Sequence, residues 1–153
     1  MRALELKVPP LVVLAFVAVL MWFGSRAAPA TSFPVPARQA IALGLAAVGV
    51  GIAVAGVVSF RIAKTTVNPL HPETASALVT SGVYQLTRNP MYLGALILLI
   101  GWAVLLANAV GFVLAPTFVL YLNRFQIGPE EKALTALFAA EFTAYCAKVR
   151  RWL

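Results

Sequence analysis

Long apolar blocks alternate with short polar segments along the chain. The blocks cover about residues 8–23, 39–60 and 91–122. A bilayer core about 30 Å thick needs about 20 helical residues, so the first two blocks each suit one membrane helix. The third block would extend about 48 Å as one helix at about 1.5 Å per residue. We therefore expect it to form two helices.

The middle of the third block carries turn residues. Its segment "LANAVGF" contains Asn108 and Gly111, which favour a break between two helices. We predict a tight hairpin of two short membrane helices. Pro116 is expected to kink the second of them, because proline removes one backbone donor from the helix interior.

The first two blocks are each predicted to form one helix. Pro9 and Pro10 open the first block, and proline suits the first helical turn, where the N–H has no partner. A signal peptide is an alternative for this block, but we expect a retained helix. In the second block Ala47, Gly51 and Ala55 recur every four residues. This spacing lets membrane helices approach closely and would permit a dimer; the oligomeric state stays open.

The last segment, from residue 128 onwards, has a different pattern. Lys132, Glu141 and Lys148 interrupt any spanning run, while apolar residues recur at three and four positions, as on one face of a helix. We expect an amphipathic helix that lies on the membrane surface or caps the bundle. The apolar residues of this face are Leu134, Leu137, Phe138, Phe142, Tyr145, Val149 and Trp152.

Together these patterns predict an all-α integral membrane protein with four transmembrane helices and a C-terminal amphipathic cytoplasmic helix. The chain, 1–153, is expected to be one membrane domain, with two N-terminal helices in 1–60 and the polar motifs in 61–153. Composition agrees with this class. The chain is 61% hydrophobic and 11% charged, whereas soluble domains average about 45–50% and about 25%.

The net charge of +7 indicates membrane orientation and not nucleic-acid binding, because the sequence shows no basic face with stacking aromatics. Lys and Arg accumulate on the cytoplasmic side of membrane proteins. With a cytoplasmic N-terminus, only Arg26 and Arg38 lie outside. Both termini are therefore expected in the cytoplasm. The cations inside are Arg2, Lys7, Arg61, Lys64, Arg88, Arg124, Lys132, Lys148, Arg150 and Arg151.

The chain contains one cysteine, Cys146, and one histidine, His71. A disulfide within the chain needs two cysteines. No metal site is predicted, and His71 in "NPLHPET" is expected to be a loop residue.

Two polar groups stand directly beside apolar blocks: "TRNPMY" and "PEE". Both have structural explanations. Asn89 suits a helix N-cap and Pro90 the first helical position, while acids in a first turn complement the helix dipole. Yet Glu130 and Glu131 are two of only five acids, on the same predicted side as Arg88. Carboxylates beside an arginine suit a zwitterion, whose ammonium and carboxylate they would bind.

These motifs resemble those of the isoprenylcysteine carboxyl methyltransferase family, to which phospholipid N-methyltransferases are related. The segment "ALVTSGVYQLTRNPMYLG" is followed, about forty residues on, by "PEEKALTALFAAEFTAYCAKVRRWL", and the match covers residues 78–152. The resemblance implies a bacterial member of the family in the inner membrane, with residues 61–153 as the cofactor-binding region. It implies S-adenosyl-L-methionine as cofactor in a cytoplasmic pocket, membrane lipids as partners, and a lipid-like or hydrophobic acceptor reached from the bilayer.

The resemblance also assigns site residues. The cofactor residues are Leu78, Val79, Tyr84, Arg88, Asn89, Pro90, Met91, Tyr92, Glu130 and Glu131. The substrate residues are Arg124 and Gln126. The chain departs from the family at Asn89, which replaces a histidine, at Gln126, which replaces an arginine, at Ala139, which replaces a glycine, and at Phe142, which replaces a tyrosine. The cofactor motif is therefore retained more fully than the substrate motif.

We expect catalysis by proximity, because a sulfonium methyl is already activated and needs mainly alignment with its acceptor in a dry pocket. No clear general base is present, so no catalytic residue is assigned. Three hypotheses stay open. They are a methyltransferase of the isoprenylcysteine type, a phosphatidylethanolamine N-methyltransferase, and a non-catalytic membrane scaffold.

Overall fold

The computed structural model describes residues 5–66 and 68–153. Within these ranges the chain is all-helical and contains no strand, as predicted. Arg2, one of the predicted cytoplasmic cations, lies outside the described residues. The helices are α1 (Pro10–Ala27), α2 (Arg38–Ile62), α3 (Pro90–Leu106), α4 (Ala109–Leu122) and α5 (Gly128–Lys148), and a π-helical turn, Asn123–Ile127, joins α4 to α5.

Three helical stretches are long and apolar enough to cross a membrane. They are α1, α2 and the continuous stretch Ala109–Lys148, which contains α4, the π-helical turn and α5. Helix α3 is equally apolar but has 17 residues, a length of about 25 Å. Pro9 and Pro10 lie at the start of α1, as expected.

The predicted division of the third apolar block into two helices joined by a tight turn is confirmed, whereas their crossing of the membrane stays a prediction. Ala107 adopts a left-handed conformation, with φ 49°, and ends α3. The side-chain oxygen of Asn108 then accepts the N–H of Val110 at 2.9 Å and caps α4. Pro116 lies inside α4, and the helical conformation runs through it.

Helix α3 is the central helix of the bundle. It packs against α2 on one side and against α1 and α4 on the other. Helix α1 is part of this core, since the indole N–H of Trp102 on α3 donates to the carbonyl oxygen of Ala18 at 3.0 Å. The buried core residues are Val13, Val17, Met21, Tyr92, Ala95, Leu99, Ala103, Phe118, Leu122 and Ile127.

The contact between α2 and α3 is built on glycines. Gly49 and Gly56 on α2 face Gly94 and the start of α3, and each helix repeats its glycine after seven residues, at Gly94 and Gly101 on α3. A Cβ atom on Gly49 would lie 2.7 Å from the carbonyl oxygen of Gly94. The two backbones therefore meet where no side chain fits between them.

The predicted small-residue stripe is not this packing face. Ala47, Gly51 and Ala55 are exposed, and nothing lies within 4 Å of the position that a Cβ on Gly51 would occupy. The reason is the seven-residue spacing of the glycines, which places a different side of α2 against α3. The use of the stripe in a dimer stays a prediction.

The apolar face predicted for the last segment is divided. Helix α5 is interrupted at Ala139, whose φ of 35° and ψ of −108° are non-helical. Leu137 is exposed, and Trp152 packs against the main core instead. The other five residues, Leu134, Phe138, Phe142, Tyr145 and Val149, form a small second cluster with Leu78.

Candidate functional site

A cavity lies at the end of the bundle where α2 ends and where α3 and α5 begin. It is lined by the last turn of α2, the loop between α2 and α3, the first turn of α3 and one face of α5. Of the predicted cofactor residues only Pro90, which is buried at the start of α3, is not on the wall. Those on the wall are Leu78, Val79, Tyr84, Arg88, Asn89, Met91, Tyr92, Glu130 and Glu131.

The side chain of Asn89 binds the C-terminal segment. Asn89 and Pro90 occupy the N-cap and first positions of α3, as predicted, but the Asn89 side chain makes no capping bond. Its Nδ2 donates to the carbonyl oxygen of Arg151 at 2.9 Å, and Oγ1 of Thr87 donates to the same oxygen at 3.3 Å. The predicted capping by this side chain is therefore wrong, since its Oδ1 accepts no backbone N–H of the first turn while its Nδ2 is bound to the carbonyl oxygen of Arg151.

Glu130 lies in the cavity with neutral partners only. Its Oε1 accepts the hydroxyl of Tyr92 at 2.5 Å and the amide of Gln126 at 2.6 Å. Among the described residues, Oε2 accepts no hydrogen bond. Burial raises the pKa of this carboxyl to about 7, although the hydrogen bonds from Gln126 and Tyr92 act to lower it. The group is thus a carboxylate without a cation, open to the cavity on one oxygen.

Glu131 has the opposite environment. Its Oε1 lies 3.2 Å from a guanidinium nitrogen of Arg88, and both of its oxygens accept from the guanidinium of Arg151. Two arginines therefore neutralise it. We predicted that both glutamates bind an ammonium, but this geometry leaves only Glu130 free of cations.

Arg88 has unused donor capacity at the cavity. Its Nε is buried and has no hydrogen-bond partner among the described residues. A buried donor without a partner is costly, and a ligand carboxylate beside it would remove that cost. The backbone N–H of Arg88 is satisfied, since it donates to the carbonyl oxygen of Arg150 at 3.0 Å.

The two predicted substrate residues have different locations. Gln126 is buried behind the cavity, where its Nε2 binds Glu130 and the carbonyl oxygen of Pro69, at 2.5 Å. Arg124 is exposed and pairs with Glu5 at 3.0 Å. The structure brings Gln126 to the site and leaves Arg124 outside it. Both lie in the π-helical turn, a local widening that is frequent at functional sites.

The terminal segment contributes residues that the sequence did not indicate. Tyr145 and Phe142 form part of the wall, and the Tyr145 hydroxyl donates to the carbonyl oxygen of Tyr84 at 2.6 Å. Burial raises the pKa of both phenols, that of Tyr145 to about 12, so both are neutral near pH 7. The helical spacing of Leu134, Phe142 and Tyr145 was the available signal, but it indicated packing only.

This donor set fits S-adenosylmethionine, the cofactor predicted from the sequence. The methionine end of that cofactor is a zwitterion. Glu130 offers an anion for its ammonium and Arg88 a donor for its carboxylate. Leu78, Val79 and Phe142 supply an apolar wall beside them.

The family model of phospholipid methyltransferases matches residues 37–141. An uncharacterized protein of Haemophilus influenzae is 41% identical over 63 residues, which are 41% of this chain and 100% of that protein. No solved structure shows significant similarity to the chain.

Two rice proteins are also similar. They come from Oryza sativa subspecies indica and japonica, and each carries the name probable protein-S-isoprenylcysteine O-methyltransferase. Each is 39% identical to the chain over 92 residues, which are 58% of the chain and 47% of the rice protein. The chain thus spans about half the length of these plant relatives.

Proposed function

The chain belongs to the phospholipid methyltransferase family, and we propose that it methylates a lipid-like or small hydrophobic acceptor that enters from the bilayer. Membership of this family, together with the rice relatives, makes it an S-adenosylmethionine-dependent methyltransferase. The first candidate acceptor is the class that the name of those relatives gives, an isoprenylcysteine carboxyl group or a chemically similar one.

The proposed architecture has four membrane spans, α1 to α4, with α5 and both termini on the cytoplasmic side of a bacterial inner membrane. Three observations support it. Large apolar side chains on α1 and α2, such as Leu11, Phe16 and Leu43, are exposed, as lipid-facing residues would be. The hairpin of α3 and α4 returns the chain to the end of the bundle where the cofactor cavity lies. Arg61 and Arg88 lie at that same end, in agreement with the positive-inside rule.

The observation that carries the proposal is the convergence of two motifs on one cavity. "RNPMY" and "EE" are about forty residues apart in the chain, yet all of their residues except Pro90 line the same cavity. The buried carboxylate of Glu130 is among them. If the two motifs served only to cap helices and complement their dipoles, they would not need to line the same cavity.

The bound cofactor would supply a methyl group already activated by a sulfonium. Glu130 and Arg88 would hold its zwitterionic end, and Tyr92 and Gln126 orient Glu130. Leu78, Val79 and Phe142 would exclude water beside it. The chain's contribution is then alignment in a dry site, and no residue is assigned a proton transfer.

Calorimetry in detergent tests the proposal. S-adenosylmethionine and S-adenosylhomocysteine should both bind the wild-type protein. Glu130→Ala should weaken binding by at least tenfold, because it removes the one cavity carboxylate that no cation pairs with among the described residues. Glu141→Ala is the matched control, since Glu141 is an exposed acid on the same helix. Circular dichroism should show that both variants stay folded. Absence of binding to the wild type would leave only the scaffold hypothesis.

An assay with methyl-labelled cofactor and total membrane lipids identifies the acceptor. Label in derivatives of phosphatidylethanolamine would establish the second candidate, N-methylation of a phospholipid. That candidate is favoured by the name of the matching family, and its amine would have to react in the neutral form, which a dry site promotes. Label in base-labile methyl esters would establish carboxyl methylation.

A further inference from the structure

A second cavity lies at the other end of the bundle. It has a volume of about 440 Å³ and is lined by Trp22, Ser25 and Arg26 from the end of α1, by Arg38 at the start of α2, and by Leu105 and Leu106 at the end of α3. The cofactor cavity lies at the opposite ends of α2 and α3. The length of α3 separates the two cavities by about 25 Å.

The charges of this cavity are unbalanced. Arg26 and Arg38 both line it, and neither forms an ion pair with any described residue. The chain has five acids, all within the described residues, and none lies at this end. Glu5 pairs with Arg124, Glu73 pairs with His71, Glu130 and Glu131 line the cofactor cavity, and Glu141 lies on α5, which packs beside that cavity.

The neighbouring surface suits acyl chains. Helices α1 and α2 follow each other in the chain but pack on different sides of α3 and make little contact among their described residues. Leu105 and Leu106 contribute apolar side chains to the cavity from the end of α3. Phe23 and Ile41, on the helices that flank it, are exposed. An amphiphile could place its head between the arginines and its chains along these helices.

The guanidinium of Arg26 has a defined position, because it lies 5.5 Å from the centre of the Trp22 ring. A cation held over an aromatic ring keeps its edge available for hydrogen bonds. Arginine binds phosphate oxygens with two parallel donors, and the tryptophan is of the type enriched at the membrane interface.

From these observations we propose that the cavity between α1 and α2 binds the phosphodiester head of an anionic phospholipid, of the phosphatidylglycerol class. The absence of acidic side chains from this end of the described chain indicates the class of lipid head group. A zwitterionic head would bring an ammonium next to two arginines with no carboxylate to receive it, whereas an anionic head meets only its counter-charges. The lipid is a structural ligand and not the methyl acceptor, because it lies at the end remote from the cofactor cavity.

Native mass spectrometry of the full chain in mild detergent tests this site with added phosphatidylglycerol, phosphatidylethanolamine or inorganic phosphate. We expect phosphatidylglycerol to bind at least tenfold more tightly than phosphatidylethanolamine, and the double variant Arg26→Gln, Arg38→Gln to remove that preference. Arg61→Gln is the matched control, since it removes the same charge from the other end of α2 and should keep the preference.

Three results would overturn the proposal. They are equal binding of the two lipids, an unchanged preference in the double variant, and equal occupancy by inorganic phosphate, which would indicate a site for a free anion. A melting-temperature measurement without lipid shows whether the double variant is folded. If it is not, the single variants Arg26→Gln and Arg38→Gln are compared in the same way. The test is independent of methyl transfer, so its failure leaves the proposed function intact.

Discussion

Two neighbouring glutamates with the same sequence context have different surroundings in the fold. Among the described residues, Glu131 is paired with Arg88 and Arg151, whereas Glu130 accepts only from the neutral donors Tyr92 and Gln126. Glu131 therefore forms structural ion pairs, and Glu130 keeps one carboxylate oxygen available for a ligand.

The raised pKa of Glu130 predicts ligand binding that depends on pH. Burial shifts this pKa from 4.5 to about 7, and only the ionised form attracts an ammonium. The affinity for S-adenosylhomocysteine should therefore fall about tenfold per pH unit below pH 7 and become constant above it. Calorimetry between about pH 5.5 and about pH 8.5, in steps of about one unit, would measure this. Glu130→Gln should bind weakly at every pH, and a flat wild-type profile would refute the assignment.

The non-helical backbone conformation of Ala139 predicts that a substitution there stabilises the protein. Its φ of 35° suits glycine, since a Cβ in such a conformation costs about 1–3 kcal/mol. Ala139→Gly should raise the free energy of unfolding by about 1 kcal/mol. Ala140→Gly, at the next and regularly helical position, should lower it by about 1 kcal/mol. Denaturation in detergent measures both, and equal losses would show that position 139 is not strained.

At the scale of the elements, the glycine contact sets how closely α2 and α3 approach. Gly49→Ala should lower the free energy of unfolding by about 1–3 kcal/mol, because its Cβ would collide with the backbone of α3. Gly44→Ala, on an open face of the same helix, should be neutral or slightly stabilising. Thermal melting of both variants separates packing from helix propensity. Equal effects would mean that the close approach does not stabilise the pair.

The segment after α5 acts as an element of the site although it is not helical. The carbonyl oxygens of Arg150 and Arg151 accept donors from Arg88, Thr87 and Asn89. The indole of Trp152 donates to Asn123 at 3.1 Å. These bonds attach the chain end to both the start of α3 and the π-helical turn.

At the scale of the whole molecule, the ion pair of Glu131 with Arg151 joins the first turn of α5, on the cavity wall, to the segment that follows α5. Glu131→Gln and Arg151→Met should each lower the melting temperature, and the double variant should lose less than the sum. The expected coupling is about 1 kcal/mol, since the arginine is partly exposed. Arg150→Met, at an exposed neighbour, is the control. Additive losses would show that the pair is not coupled.

Much of the fold follows from local pattern. Apolar block lengths identified the helices, and Asn108 marked the hairpin, because both signals depend on residues within a few positions of one another. The predicted family and its methyltransferase activity are confirmed by the family match. The assignment of site residues stays a prediction, although all but one of the proposed cofactor residues line one cavity.

The sequence by itself determined the helices, the hairpin and the two motifs, since hydrophobic period and turn chemistry act over short distances in the chain. Only the tertiary structure decided which face of α2 packs, which glutamate is neutralised and what Asn89 binds. Each of those outcomes depends on a partner far away in the sequence: α3 for Gly49, and Arg151 for both Glu131 and Asn89. A side chain's charge and hydrogen-bonding capacity are written in the sequence, but its partner is set by which backbones can approach closely enough to meet.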